Sequence, residues 1–492
     1  MTYYKDDDGS RLPVKIDSTS NGEFAPRPLT ELAQHANYIA HEQATDCAKR
    51  LGMSRRHFLV SACGAAASLL AINRAYAGTN PSGTYDIPTA ATLEPEAALE
   101  VLSGREFIFD IQTHHVNPAG PWRTPLNAFN IALRAFPQAR CGDSFLDRIF
   151  GAIDCFSARH FIKEVFLDSD TDMAVLSFVP SRKDAMPLTL QEGDETRQII
   201  DSMEGNHRLL LHGPINPRLP GELELMSELV ENWPISAWKT YTQWGPDGVG
   251  YWLDDPELGS RFIERARALG PKRICIHKGL PFPGQQYEYS LCRDVGVAAK
   301  RFPDVDFIIY HSGYEPGVAE GPYDPNAAHR GIDSLVESLL VNEIPPNSNV
   351  YAEIGSTWRF LMRDPNEAAH ALGKLFKYVG EDRVLWGTDS IWYGSPQDQI
   401  QAFRSFRISD ELQERYGYPK LTPQLRAKVF GLNAASVYDI NLDEVQRRAN
   451  GDVVERLRQR YQPEQQPSFL TYGPKTRREF LRFLRWQRDM PA

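Results

Sequence analysis

No two of the six cysteines in this 492-residue sequence, at 47, 63, 141, 155, 275 and 292, stand at the C-x-x-C spacing of a structural zinc site or a redox motif. Packing thiols account for them as readily as a disulfide between Cys141 and Cys155 does. Positive charge is in deficit: 54 Lys and Arg against 64 Asp and Glu give a net charge of -10. That excludes a general nucleic-acid binder, which needs a basic face. Long apolar runs are missing too. The run over 60–72 falls short of the about 20 residues that cross a bilayer, so no stable membrane span is expected. No glycine-rich phosphate turn follows the first strand-like segment, which argues against a doubly wound dinucleotide-binding sheet. What is present is an ordinary globular balance, 42% hydrophobic and 24% charged, in a chain long enough for one large barrel with extensions.

The ends of the chain read differently from its middle. Residues 1–52 open with a polar stretch, 3–10, expected to be disordered, and continue with a helical pattern over 28–51. Residues 53–77 carry Arg55-Arg56, the apolar run 60–72 and a small-residue close at Ala75-Tyr76-Ala77. This pattern resembles a twin-arginine export signal, and it implies a periplasmic protein, or a cytoplasmic one where the signal is not used. Fifty-two residues precede the motif, whereas a signal normally stands first, so an uncleaved Ala-rich helix packed on the body is the competing reading. Residues 78–103, with Gly78, Pro81, Gly83, Pro88 and Pro95, read as a linker. Residues 441–492 read as a helical tail that ends in a short basic amphipathic segment, 476–486.

Between them, residues 104–440 alternate eight strand-like apolar runs with amphipathic stretches. The runs are 107–114, 173–179, 208–212, 235–241, 273–277, 305–311, 349–354 and 384–389. Eight such alternations predict an α/β fold, a parallel (β/α)8 TIM barrel. Four of the runs end in ligand-type side chains. The first gives Gln112 and His114, the fifth His277, the sixth His311 and the eighth Asp389. Along a strand, residues two apart share a face, so Asp110, Gln112 and His114 point together and His115 points away. The carboxyl ends of barrel strands are where such enzymes do chemistry. Buried ionisable groups are costly unless paired or metal-bound, so four in one register point to a metal site rather than to packing.

On these residues the chain resembles the amidohydrolase superfamily, in its amidohydrolase-2 branch of metal-dependent hydrolases and aromatic-acid decarboxylases. His277-Lys278-Gly279 and Gly387-Thr388-Asp389 match the family's fifth- and eighth-strand signatures. The resemblance implies one divalent metal, commonly zinc, with His114, His277 and Asp389 as ligands and His311 as the acid/base group. Asp389 could share the proton. It also implies a small-molecule substrate and a homodimer. Gln112 departs from the family, which usually has the first His of an H-x-H there. A neutral amide oxygen is a harder ligand than imidazole, so manganese or iron stands beside zinc.

The expected chemistry is hydrolysis of an amide, ester or lactone by metal-activated water. The alternatives are non-oxidative decarboxylation of an aromatic or unsaturated acid by the same residues, and a catalytically degenerate barrel acting as a binding or assembly subunit. Lys239, at the end of the fourth run, is placed to hold a substrate carboxylate, or else to pair with Glu353 of the seventh. His212, at the end of the third, is either a rim residue or a hydrogen-bonded structural histidine. Trp244 and Trp392 fall among the aromatic residues of the strand-to-helix loops, which suggests an apolar or aromatic substrate.

Overall fold

A computed structural model describes residues 12–79, 82–120, 151–181, 186–203, 207–282, 284–449, 452–461 and 473–481. The polar stretch 3–10 and Cys141 lie outside the described residues, as does the end of the basic tail segment.

Eight strands form one parallel sheet in sequence order: β1 (Phe109–Thr113), β2 (Met173–Leu176), β3 (Leu209–Pro214), β4 (Ile235–Tyr241), β5 (Arg273–His277), β6 (Asp306–Tyr310), β7 (Val350–Glu353) and β8 (Val384–Leu385). Each falls on one of the eight apolar runs. The sheet closes on itself. Ile111 N–H donates to the Trp386 carbonyl at 3.1 Å, Asp389 N–H donates to the Gln112 carbonyl at 2.9 Å, and Thr113 bridges to Ser390. This is a TIM barrel.

Alternate residues along the strands sort into two sets, as a period of two demands. Phe109, Ile111, Val175, Ala237, Cys275, Ile308 and Tyr310 fill one cluster together with Tyr438. Their neighbours, among them Trp238, Ile274, Ile276, Phe307, Ile309 and Trp386, join the larger cluster shared with helices Val295–Arg301 and Ile332–Val341. Residues 437–439 cap the amino-terminal end of the strands. There Arg273, which opens β5, donates to the Val437 carbonyl at 2.7 Å and to Asp439 at 3.1 Å. The opposite end carries His277, His311 and Asp389.

One stretch differs from the sequence reading. Residues 78–103 are built into the body rather than strung as a linker. Gly83–Tyr85 pairs antiparallel with Phe406–Ile408, and Pro95–Leu102 is a helix. Proline and glycine marked that stretch as a break, but here Pro95 starts a helix at the position where its missing N–H costs nothing. The export-type segment forms helix Ala62–Tyr76, packed against helix Glu31–Arg50. Phe58, Leu69, Ile72 and Tyr76 are buried in the main core. Among the described residues, no helix is long and apolar enough to cross a membrane.

Candidate metal centre

Five side chains from β1, β5, β6 and β8 converge at the carboxyl end of the barrel, all buried. His114 Nε2 lies 3.1 Å from Asp389 Oδ1. Its other nitrogen, Nδ1, is fixed by the Ser177 carbonyl at 2.9 Å, which aims Nε2 inward. Gln112 Nε2 donates to the same Asp389 oxygen at 3.3 Å and lies 3.3 Å from His311 Nε2. The His311 Nδ1–H donates to the Gly355 carbonyl at 2.7 Å. His277 stands with its ring centroid 4.4 Å from that of His311 and stacks on Tyr241 at 4.7 Å.

The backbone is bent hard to achieve this. His311, Ser312, Ser356 and Asp389 all take positive φ, which non-glycine residues adopt only where surroundings over-determine it. At Asp389 the turn swings the carboxylate back over the barrel mouth. There the other oxygen, Oδ2, accepts from the Ser356 hydroxyl and from Asn21 Nδ2, the latter at 2.8 Å.

The donor set fits a divalent cation. Among the described residues, neither ring nitrogen of His277 makes a hydrogen bond of ordinary length and angle, and Gln112 Oε1 accepts none. Unsatisfied lone pairs at full burial cost about 1–3 kcal/mol each unless something fills them. Burial, then the neighbouring His311, holds the His277 imidazole well below its usual pKa, so it is a neutral donor. Burial likewise pushes His311 down to about 4. Burial opposes charge on Asp389 as well, but the hydrogen bond with His114 and the nearby imidazoles outweigh it, and the carboxyl stays below its usual range.

One member of the cluster comes from outside the barrel. Glu23 Oε1 lies 3.8 Å from His277 Nδ1, and Glu23, His277 and His311 offer ligand atoms within 4.8 Å of one another. Sequence reasoning missed Glu23 and Asn21. They sit in an irregular segment beside Pro26 and Pro28, where no periodicity marks a face.

The remaining predicted residues divide. Lys239 is buried on the barrel wall with Nζ 3.5 Å from the Tyr310 ring centroid and 4.6 Å from that of Tyr241. It has no hydrogen-bond partner among the described residues, and no ion pair with Glu353 forms within 4 Å. Desolvation lowers its ammonium to about 8. Glu353 instead accepts from the backbone N–H groups of His311, at 3.0 Å, and Gly355, at 2.5 Å, and burial pushes it up to about 8. It shapes the turn that carries His311. His212 is inside the barrel with both nitrogens committed, to Ser177 Oγ at 3.2 Å and to the Tyr438 hydroxyl at 3.1 Å, so the structure gives it the structural place. Trp392 stacks on His114 at 5.6 Å and walls the mouth. No ring contact joins Trp244 to the five converging residues among the described residues; its carbonyl accepts from Asn216 at 3.0 Å. His115 points away, as alternation requires, to Thr196 Oγ1 at 3.0 Å.

Residues 239–440, which run from the end of β4 through β8 and carry three of the five converging side chains, match the family model described as Amidohydrolase. Through that segment the chain is similar to the amidohydrolase family. The amidohydrolase match spans His277, His311 and Asp389 but stops short of Gln112 and His114. No curated protein matches the chain. Solved structures that resemble it include 2,6-dihydroxybenzoate decarboxylase from Rhizobium, at 14% identity over 68% of this chain and 99% of that one, with a TM-score of 0.39. A 5-carboxyvanillate decarboxylase from Sphingomonas paucimobilis gives 14%, 68%, 100% and 0.39. Amidohydrolase 2 from Bifidobacterium longum subsp. infantis gives 15%, 68%, 100% and 0.33.

Proposed function

We infer that this barrel is a metal-dependent hydrolase that opens an amide, ester or lactone bond of an apolar or aromatic small molecule. One observation carries the reading. His277, whose ring nitrogens make no hydrogen bond of ordinary length and angle among the described residues, stands beside His311, and Gln112 Nε2 lies 3.3 Å from both His311 Nε2 and Asp389 Oδ1, which meets His114 at 3.1 Å. A divalent ion held there would polarise the scissile carbonyl and acidify the attacking water.

The chain's own residues do the rest. His311 is neutral and is turned by Gly355 so that Nε2 faces the centre. It takes the proton from the attacking water and returns it to the leaving nitrogen or oxygen. Asp389, ionised and gripped by Ser356, holds the centre and steadies the protonated imidazole. Tyr241 and Trp392 exclude water from either side.

Decarboxylation of an aromatic acid by the same groups is favoured by a different observation. The described residues leave a cavity of about 300 Å³ beside the centre, lined by Phe178, Met186, Leu190, Ile215, Lys239 and Tyr241. Its wall is mostly apolar, with Ser181, Thr189, Asn216 and Glu222 beside Lys239, and the Lys239 ammonium, without a hydrogen-bond partner among the described residues, suits a carboxylate on an apolar ring. In that reaction a proton first taken up from solvent at His311 Nε2 passes to the ring carbon as carbon dioxide leaves, which returns the imidazole to its neutral form.

Metal-loaded protein assayed on a panel of aryl esters, lactones and amides, with carbon dioxide release from hydroxybenzoates measured in parallel, separates the two. Turnover of neither panel by protein that holds stoichiometric metal counts against both and favours a binding or assembly role. The paired Arg55-Arg56 and Ala75-Tyr76-Ala77 support export by the twin-arginine route, which carries folded protein. The burial of Ala62–Tyr76 supports retention of that segment on the body.

A further inference from the structure

We propose that Glu23, brought to the barrel mouth by the segment 12–27, is a ligand of the metal ion and supplies the strong donor that β1 lacks at Gln112. The inference rests on reading the site as a metal centre.

The segment is anchored on both sides of Glu23. Lys15 is buried, with Nζ on the Ser395 carbonyl at 2.7 Å and 3.0 Å from Asp398 Oδ1. Asp17 pairs with Arg359 at 2.8 Å. Ser20 N–H donates to the Pro474 carbonyl at 2.9 Å, so the C-terminal tail clasps the segment from outside. Phe24 packs edge-on against Phe360 at 5.0 Å. Between these anchors a turn with Gly22 at φ +96 points Asn21 and Glu23 into the mouth.

The contacts at the tip are those of a ligand, not of a loose acid. Asn21 Nδ2 donates both to Glu23 Oε2, at 2.6 Å, and to Asp389 Oδ2, at 2.8 Å, and so aligns two carboxylates on one centre. The other Glu23 oxygen faces His277 Nδ1, one of the two ring nitrogens that make no hydrogen bond of ordinary length and angle among the described residues. Two carboxylates brought this close repel unless a cation or a shared proton lies between them, and a cation is what the neighbouring imidazoles can also hold. A carboxylate in place of a neutral amide raises the charge the site presents to the ion, and it favours harder divalent ions beside zinc.

Full-length protein stripped by chelation is titrated with Zn(II) and with Mn(II), with affinity read by calorimetry and Mn(II) geometry by electron paramagnetic resonance. Wild type is expected to bind one ion per chain. Glu23→Gln is expected to bind at least about tenfold more weakly with a changed Mn(II) spectrum, while exposed Glu42→Gln matches wild type. Unchanged affinity and spectrum in Glu23→Gln overturn the proposal and leave the metal centre standing. Failure of wild type to bind either ion removes the metal centre and the proposal with it. Should Glu23→Gln not fold, Glu23→Asp, which keeps the charge but draws it back by one methylene, is read the same way: an unchanged Mn(II) spectrum overturns the proposal and a changed one supports it.

Discussion

His311 owes its direction to the Gly355 carbonyl and the Glu353 carboxylate beneath it, which fix its Nδ1 and its backbone N–H. His311→Ala should therefore lower turnover by about a hundred- to ten-thousandfold, the usual worth of a general base. It should leave the ion bound through His114, His277 and Asp389. Asp389→Ala should release the ion instead, as shown by metal content after dialysis. Full activity in His311→Ala removes it from the acid/base role. The glycines are as constrained as the ligands. A Cβ on Gly387 would sit 1.7 Å from Glu353 Oε1. Gly387→Ala should cost about 1–3 kcal/mol in denaturant unfolding and displace Asp389, two residues on. These residues were legible in the sequence because each ends an apolar strand run, so its position along the barrel followed from the strand. Glu23 and Asn21 were not, because nothing in an aperiodic segment says which strand end it will reach. His212 read from its place in the run as either a rim residue or a structural histidine, and the Tyr438 hydroxyl, 226 positions away, decides for the second.

At the scale of elements, the eight strands emerged from the sequence because parallel buried strands are apolar on both faces and their helices are amphipathic. Their turns did not, since positive φ at Ser312, Ser356 and Asp389 is imposed by closure of the barrel and has no residue signature. Helix Pro365–Lys374 gives a test that stands clear of the centre. Burial, then the Asp364 carboxylate beside it, pushes Glu367 up to about 7. The unfolded chain ionises this group near its usual 4.5, the folded chain only near 7. The stability Glu367 contributes is thus fully present below about pH 4.5 and is lost as pH rises through 7. Partial exposure trims the effect to about 1–2 kcal/mol. Glu367→Gln should melt with wild type at pH 4 and above it at pH 8. Parallel melting curves across that range would show that Glu367 is not held in its protonated form.

For the whole molecule, the described parts of the extensions are not appendages, since residues 18–20 and 474–475 meet beside the barrel mouth. Residues 12–27 reach the candidate metal centre, and Pro474 and Ser18's partner Lys475 hold that segment down. Composition could not reveal this, because segments that pack on a finished barrel need no periodicity of their own. Cleavage after Ala77 would remove Glu23 together with Phe58, Leu59, Leu69, Ile72 and Tyr76, all buried in the main core. Burying each such side chain is worth about 1.5–3 kcal/mol, so the five together come to on the order of 10 kcal/mol, comparable with the whole stability of a typical domain. Protein from its producing cells should therefore keep residues 12–77, as intact mass spectrometry would show. A chain begun at Gly78 should melt far lower and hold metal poorly. A mature form that starts at Gly78 yet stays folded with its ion bound would show that the barrel is complete without its N-terminal segment, and would place the metal on β1, β5, β6 and β8 alone.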